Sequence, residues 1–205
     1  TDVLGSDEKW RNLVPLRFAD YVEAGDFRSR LQADPRQFGR FATVFHLGAN
    51  SATTERNATH LIDNNYNYTK ELAAWSLDQD ARFIYASSAA TYGDGARGMD
   101  DQADNLHQLR PLNMYGYSKH LFDLHAQREG WLGRIVGVKY FNVFGPNQLG
   151  NSPYATAISS WLTAIMKGEP MRSDGDGSQS RDMSYVDNVV DALLRACKIQ
   201  GELRA

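Results

Sequence analysis

The sequence predicts an α/β protein built on a doubly wound parallel sheet, and two observations support this prediction. Continuous apolar runs occupy residues 41–48, 82–88 and 134–143, and such runs are typical of strands buried on both faces of a parallel sheet. Segments with helical spacing separate these runs, as the crossover connections of parallel strands require. We therefore expect a sheet covered by helices on both faces.

The composition excludes several classes of protein. Of the 205 residues, 42% are hydrophobic and 23% are charged, which is ordinary for a globular protein. The net charge of −3 and the absence of a Lys/Arg run argue against nucleic acid or an anionic membrane as a partner. The histidines show no ligand spacing, so we expect no metal.

The single cysteine, Cys197, excludes an intrachain disulfide and favours a reducing compartment. The sequence contains no visible signal peptide and no apolar run approaching about 18 residues. We therefore expect a cytoplasmic protein with no membrane partner.

The first part of the chain predicts most of a Rossmann-like nucleotide-binding domain, residues 1–146. In chain order we expect the tail of a strand at 1–5, an edge strand at 13–18, a helix at 26–33, a strand at 41–48, a helix at 64–77, a strand at 82–88, a helix at 115–128 and a strand at 134–143. Pro15 cannot donate to a central ladder, which makes the second strand an edge strand. No G-x-G-x-x-G turn is present, so we expect the first strand–helix unit to be missing and the chain to be a fragment.

After residue 146 the pattern changes to that of a smaller C-terminal substrate domain, of which residues 147–205 form a part. Residues 154–167 carry an amphipathic stripe and predict a helix. Residues 172–180 are rich in Gly, Asp and Ser and predict a loop, and residues 186–197 predict a final helix.

Tyr115 and Lys119 form the strongest candidate catalytic pair. They are four residues apart, so on a helix their side chains lie on one face, where an ammonium lowers the pKa of a phenol. Ser88 ends an apolar strand, and the carboxyl ends of parallel strands face the ligand crevice. Tyr66 and Lys70 have the same spacing without that context, and we interpret Lys70 as a solvated helix residue.

Asp2 and Lys9 point to different nicotinamide cofactors. An acidic residue at the end of the second strand binds the ribose hydroxyls of NAD, whereas a lysine nearby can neutralise the 2′-phosphate of NADP. Asp2 can also be a simple turn residue, and the sequence leaves NAD and NADP both open.

Residues 47–51 follow a buried strand and are expected to contact the cofactor. Gly48 lets the backbone approach a ligand, although an ordinary strand-to-helix turn would have the same sequence. Asn64 and Asn65 can contact the ligand or cap the following helix.

Asn142 and Arg181 are candidate substrate ligands. Asn142 ends a strand before a Gly-Pro turn, where its amide can bind a sugar or a phosphate. Arg181 lies in a Gly-rich loop, and a guanidinium can bind a diphosphate with two hydrogen bonds. The alternative for Arg181 is an ion pair with Asp182.

Together these motifs resemble the extended short-chain dehydrogenase/reductases that act on nucleotide sugars, and within them the ADP-L-glycero-D-manno-heptose 6-epimerase branch. The resemblance spans residues 1–145 and rests most on Ser87-Ser-Ala-Ala-Thr-Tyr-Gly93, Asn64-Asn-Tyr66, Pro111-Leu-Asn-Met-Tyr-Gly-Tyr-Ser-Lys119 and Tyr140-Phe-Asn-Val-Phe-Gly-Pro146.

The resemblance implies an isomerase that transiently oxidises and re-reduces the sugar of a nucleotide-diphosphate sugar, with NADP or NAD as cofactor. It also implies a homo-oligomer and a role in lipopolysaccharide precursor biosynthesis. The catalytic residues it implies are Ser88, Tyr115 and Lys119. The cofactor contacts it implies are Asp2, Val3, Lys9, Leu47, Gly48, Ala49, Asn50, Ser51, Asn64, Tyr115, Lys119 and Val143. The substrate contacts are Ser88, Asn142, Asn151 and Arg181.

Two other functions remain open at the level of sequence. The heptose branch carries a second acid/base Lys in the loop after Gly145-Pro146, where Asn151 lies nearest here, and from Ser152 the chain looks more like the UDP-hexose 4-epimerases. A related dehydratase would carry an acidic residue beside Ser88, and none is present. The third possibility is a non-catalytic nucleotide-binding fragment, which the missing Gly-rich turn favours.

Overall fold

The computed structural model describes residues 1–6, 8–101, 103–148, 155–173 and 175–198. The chain divides into two compact units, Thr1–Ala42 and Thr43–Ala205. The domain boundary expected at residue 146 stays a prediction.

The first unit is mainly helical. A 3₁₀ helix spans Glu8–Leu13, α1 spans Ala24–Ala33 and a second 3₁₀ helix spans Pro35–Phe38. Phe27 of α1 packs against Phe38 with ring centroids 4.5 Å apart, and Leu31 is buried. The helix predicted at 26–33 is therefore confirmed and begins two residues earlier.

The two strands expected in this unit were wrong predictions. Val14, Leu16 and Phe18 are all more than half exposed, and Leu16 N–H donates to Leu13 O at 3.0 Å to close a turn. Pro15 lacks a donor, and no neighbouring strand is described to pair with this segment. At the start of the chain, Asp2 forms only a single parallel bridge with Glu23.

The second unit contains the parallel sheet. β1 (Thr43–His46), β2 (Arg82–Ser88) and β3 (Ile135–Tyr140) form a sheet with the order β1-β2-β3, in which both pairs of neighbours are parallel. β4 (Asn142–Phe144) and β5 (Met183–Tyr185) form a separate parallel pair. In the register of β2 and β3, Ser88 lies opposite Tyr140, so both residues end their strands at the same edge.

The helices of the second unit connect these strands. They are α2 (Ala58–Leu61), a π-helix (Ile62–Asn67), α3 (Tyr68–Asp78), α4 (Met114–Arg128), α5 (Ala157–Lys167) and α6 (Val186–Lys198), with 3₁₀ helices at Ala89–Tyr92 and Ala103–Gln108. Within the described ranges, no helix combines the length and the apolar character needed to cross a bilayer.

Helices cover both faces of the sheet. On one face, Phe122 of α4 packs edge-on against Tyr85 of β2, with ring centroids 4.7 Å apart. On the other face, Ile84 clusters with Leu193 and Ala196 of α6. Successive strand residues point to opposite faces, so the adjacent residues Ile84 and Tyr85 define the two layers. The predicted doubly wound α/β architecture is confirmed.

Three expected elements differ in detail. The strand predicted at 134–143 is interrupted at Phe141, after which the chain leaves the main sheet and pairs with β5. β1 is not buried on both faces, because it lies at the edge of the described sheet and leaves Phe45 43% exposed. The helix expected from Asn64 begins at Ala58, since the side chain of Asn57 accepts from His60 N–H at 3.0 Å and caps it.

Candidate active site

The first turn of α4 is held by capping and by close packing. Asn113 Oδ1 accepts from Gly116 N–H at 2.8 Å, which starts the helix one residue before Tyr115. A Cβ on Gly116 would lie 2.6 Å from Ala90 O, so only glycine allows this approach. This contact brings Tyr115 next to the residues that follow β2.

Ser88 ends β2 with its hydroxyl directed toward that turn. Ser88 Oγ accepts from Ala90 N–H at 3.1 Å and caps the 3₁₀ helix Ala89–Tyr92. The hydroxyl proton is then available to another acceptor, and Ser88 lies close enough to Tyr115 to lower the pKa of its phenol. The structure therefore brings together the two groups that the sequence predicted at the carboxyl edge of the sheet.

The prediction that Lys119 lowers the pKa of Tyr115 was wrong for this structure. Burial raises the pKa of Tyr115 above its ordinary value, and the influence that opposes burial is the hydrogen bond from Ser88. Tyr115 is therefore a neutral hydrogen-bond partner of Ser88 at pH 7.

Lys119 is buried, with 3% of its surface exposed. Burial lowers the pKa of its ammonium to about 8, and the charge of Asp123 opposes this shift. No hydrogen bond joins the ammonium of Lys119 to another described residue, although a buried ammonium needs acceptors. A group that brings hydroxyl oxygens, such as the ribose of a nicotinamide nucleotide, would supply such acceptors.

Asn65, which the sequence offered together with Asn64 as a ligand or a helix cap, instead connects three parts of the site. It is fully buried in the π-helix; its Nδ2 donates to Asn50 O at 2.9 Å and to Ser118 Oγ at 3.0 Å, and its Oδ1 accepts from Asn50 N–H at 2.9 Å. Ser118 Oγ donates in turn to Tyr115 O at 2.7 Å. The Asn-Asn pair was visible in the sequence, but the π-helical geometry that aims Asn65 inward was not.

The segment 47–51 follows β1 at the carboxyl edge, as predicted. Leu47 and Gly48 are exposed, and a Cβ built on Gly48 would have no neighbour within 4 Å. Asn50 is held by Asn65, while Ala49 is half-buried and Ser51 is exposed. Asn64 Nδ2 donates to Asn65 Oδ1 at 2.9 Å, so Asn64 supports the same network. The cofactor contacts of these residues stay predictions.

Asn142 lies beside the segment that carries Arg181. Asn142 N–H and Nδ2 both donate to Asp182 O, at 3.3 and 3.1 Å. Arg181 is exposed, its Nη1 donates to Ser180 O, and no ion pair joins it to a described carboxylate. Val143 is half-buried in β4. The alternative of an Arg181–Asp182 ion pair is therefore not found, and Asn151 lies outside the described residues.

Asp2 and Lys9 meet within the first unit. Lys9 Nζ lies 3.5 Å from Asp2 Oδ1, and Val3 N–H donates to the same carboxylate oxygen at 2.7 Å. The two predicted discriminators between NAD and NADP are therefore neighbours.

Asp123, which is buried, and Lys139, which is half-buried, are two further charged residues near the site that the sequence analysis missed. Lys139 Nζ donates to Asp123 Oδ2 at 2.8 Å. The signal for Asp123 was its position four residues after Lys119, and the signal for Lys139 was a charge inside an apolar strand. In the described part of the chain, no three His, Cys, Asp or Glu side chains are placed to hold a metal ion.

A doubly wound sheet with Ser, Tyr and Lys at the carboxyl edge of its strands is the arrangement of the short-chain dehydrogenase/reductase class. The chain belongs to the NAD dependent epimerase/dehydratase family, whose model matches residues 6–202.

Individual relatives agree with this assignment. The chain is 43% identical over 199 residues to an ADP-L-glycero-D-manno-heptose-6-epimerase of Nitratidesulfovibrio vulgaris, covering 94% of this chain and 61% of the relative. The structure of the Helicobacter pylori ADP-L-glycero-D-manno-heptose-6-epimerase matches with a TM-score of 0.76 at 27% identity, covering 95% of this chain and 61% of that one.

A UDP-N-acetylglucosamine 4-epimerase from Methanobrevibacter ruminantium, solved with UDP-N-acetylmuramic acid, matches with a TM-score of 0.72 at 30% identity. That match covers 82% of this chain and 55% of the other. The chain therefore spans about 61% of the length of the curated relatives it matches. The resemblance to nucleotide-sugar epimerases is confirmed.

Proposed function

We propose that this chain forms part of an NAD(P)-dependent epimerase that acts on an ADP-activated heptose. The observation that carries the proposal is the placement of Ser88 at the carboxyl end of β2, where it acts on Tyr115, with the buried Lys119 one helical turn further along α4. The 43% identity to a heptose 6-epimerase supports the choice of sugar.

Tyr115 is the acid/base of the proposed reaction. Its oxygen can pass a proton to and from a sugar hydroxyl, and Ser88 supplies a hydroxyl beside the oxygen whose charge changes. When bound, a nicotinamide supplies the reversible acceptance of a hydride from the sugar carbon. Burial holds Tyr115 neutral in the structure, so the base form needs a nearby positive charge.

In the proposal, Lys119 binds the cofactor and does not itself lower the pKa of Tyr115, whose shift in this structure comes from burial and from Ser88. Lys119 is buried one helical turn after Tyr115, and no hydrogen bond joins its ammonium to another described residue. The ribose hydroxyls of NAD or NADP would complete its hydrogen bonds. Asp2, Val3, Lys9 and residues 47–51 are the proposed remaining contacts of the nucleotide, together with Asn64 and Val143.

The substrate side of the proposed site is formed by Asn142, Asn151 and Arg181. Arg181 is exposed and has no described ion-pair partner, so its guanidinium is available to a diphosphate. The cytoplasmic location, the homo-oligomer and the role in lipopolysaccharide precursor biosynthesis are further proposals that rest on the resemblance.

A UDP-hexose 4-epimerase is the second candidate. The observation that favours it is the segment 147–153, which offers no lysine as a second acid/base. A 4-epimerase turns the keto sugar within the pocket and needs only one tyrosine base. The match to a UDP-N-acetylglucosamine 4-epimerase is consistent with this candidate.

The test is to incubate the full-length protein separately with ADP-heptose and with UDP-glucose, and to follow sugar stereochemistry by NMR. We expect inversion at C6 of the heptose. Inversion at C4 of glucose would favour the second candidate, and nucleotide binding without turnover would support the non-catalytic alternative.

Tyr115→Phe should remove most of the turnover and leave cofactor affinity nearly unchanged. The matched control is Tyr117→Phe, because Tyr117 lies two residues further along α4 and is 45% exposed. Full turnover in Tyr115→Phe would refute the role given to Tyr115.

A further inference from the structure

The buried carboxylate of Asp123 lies one helical turn after Lys119 on α4. Asp123 is four residues further along α4 and only 3% exposed, so the two side chains lie on the same helix face. Tyr115, Lys119 and Asp123 thus follow one another at four-residue intervals along this face.

Asp123 is held from the sheet by three donors. Tyr85 Oη donates to Asp123 Oδ1 at 2.7 Å, while Ser87 Oγ and Lys139 Nζ donate to Asp123 Oδ2 at 2.9 and 2.8 Å. Hydrogen bonds to a carboxylate favour its charged form. The carboxylate is therefore fixed in place inside the protein.

The charges around this carboxylate indicate that it has an electrostatic role as well as a structural one. Asp123 forms an ion pair with Lys139 and lies one helical turn from the buried Lys119, so removing the carboxylate would take a negative charge away from both cations. Lys139 has two further stabilising contacts, because it donates to Thr91 Oγ1 at 2.7 Å and lies 5.0 Å from the centre of the Tyr92 ring. The Lys119 ammonium forms no hydrogen bond with another described residue, and the charge of Asp123 is what opposes the effect of burial on it.

We propose that Asp123 is a positioning residue whose charge, shared between Lys139 and Lys119, keeps the Lys119 ammonium protonated. The consequence for turnover rests on the proposed function, whereas the effect on Lys119 itself does not. The ion pair between Lys139 and Asp123 weakens the effect of the carboxylate on the pKa of Lys119, because the positive charge of Lys139 partly cancels the negative charge.

The other groups near Asp123 do not replace it. Burial lowers the pKa of His120 although the charge of Asp123 raises it, so His120 is neutral at pH 7. Burial and the charge of Lys119 also lower the pKa of His46 on β1, which is neutral as well. Burial raises the pKa of Tyr85 and of Tyr92, which are also neutral. Arg110 acts on His120 from the segment before α4. Asp123 is therefore the negative charge that acts on Lys119.

The pKa of Lys119 sets the direction in which its charge changes with pH. Burial lowers the pKa of Lys119 to about 8, and the charge of Asp123 raises it. The ammonium is therefore lost as pH rises through about 8. Without the Asp123 charge, we expect this loss at lower pH.

The direct test is an NMR titration of lysine side chains in the full-length protein without cofactor, with Lys119 assigned by the signal lost in Lys119→Arg. Asp123→Asn keeps the shape and should lower the pKa of Lys119 by about one unit or more. Lys139→Met frees the carboxylate from its ion pair and should raise the pKa. Asp191→Asn is the control, because Asp191 is an exposed partner of Arg195 on α6.

Shifts of opposite sign in the two variants would establish the proposal, since a purely structural role would weaken folding in both without moving the pKa of Lys119 in opposite directions. An unchanged pKa in Asp123→Asn would overturn it. Where turnover is measurable, the alkaline limb of kcat should move to lower pH in Asp123→Asn. Opposite shifts by NMR in a protein without turnover would refute the proposed function and leave this inference intact.

Discussion

Asn65 Nδ2 lies 3.0 Å from Ser118 Oγ, and this hydrogen bond joins two segments that are 53 residues apart. It connects the π-helix after β1 to the first turns of α4, next to Tyr115. Because Asn65 also holds both backbone groups of Asn50, one buried amide positions the segment after β1 and the helix that carries the proposed catalytic pair.

Replacing Asn65 by alanine should destabilise the protein. The change leaves the buried polar groups of Asn50 and Ser118 without their partner, which we expect to lower the free energy of unfolding by about 1–3 kcal/mol. Urea unfolding measures this loss. Asn67→Ala is the control, since Asn67 lies in the same π-helix and its side chain makes no hydrogen bond with a described residue; equal losses in both variants would contradict the role of Asn65.

Gly116→Ala should also destabilise the protein and reduce turnover. The added Cβ would lie 2.6 Å from Ala90 O, so α4 must move away from the turn after β2 and carry Tyr115 away from Ser88. Overpacking of this kind costs about 1–3 kcal/mol. Thermal unfolding and kcat are the measurements. In the control Gly25→Ala, the new Cβ meets nothing within 4 Å and both quantities should be preserved.

Gly48→Ala separates cofactor binding from stability. A Cβ at this position has no protein neighbour within 4 Å, so the free energy of unfolding should change little. If residues 47–51 contact the nucleotide, the added methyl should weaken NAD or NADP binding by several-fold, as measured by calorimetry. Unaltered affinity would remove Gly48 from the proposed cofactor site.

His46 should make the protein less stable in acid. Burial, followed by the nearby charge of Lys119, lowers the pKa of His46 to about 3. The unfolded chain binds this proton near pH 6.5 and the folded protein does not, so the contribution is complete above about pH 6.5 and decreases as pH falls toward 3.

As pH falls from 6.5 to 4.5, His46 should lower the free energy of unfolding by about 2–3 kcal/mol. Unfolding free energies of the wild type and of His46→Gln, measured across this range, should therefore differ in slope. His60→Gln is the control, because His60 is exposed. Parallel curves for wild type and His46→Gln would show that His46 does not titrate in this way.

Sequence patterns predicted elements well where burial dominates. β2 was predicted with its observed bounds because six of its seven residues are buried, which leaves a continuous apolar run. The segment 13–18 has a similar apolar content, yet it forms no strand. A strand requires a partner with which to share hydrogen bonds, and a single segment does not carry that information.

The sequence by itself determined the doubly wound architecture and the common face of Tyr115 and Lys119, because alternating apolar runs and a four-residue interval act through local geometry. Only the tertiary structure decided the electrostatics. Burial raises the pKa of Tyr115 although Lys119 lies one helical turn away. The π-helix turns the side chain of Asn65 inward. Asp123 of α4 forms an ion pair with Lys139 of β3. Desolvation and long-range hydrogen bonds depend on which segments meet in space, and spacing along the chain does not specify that.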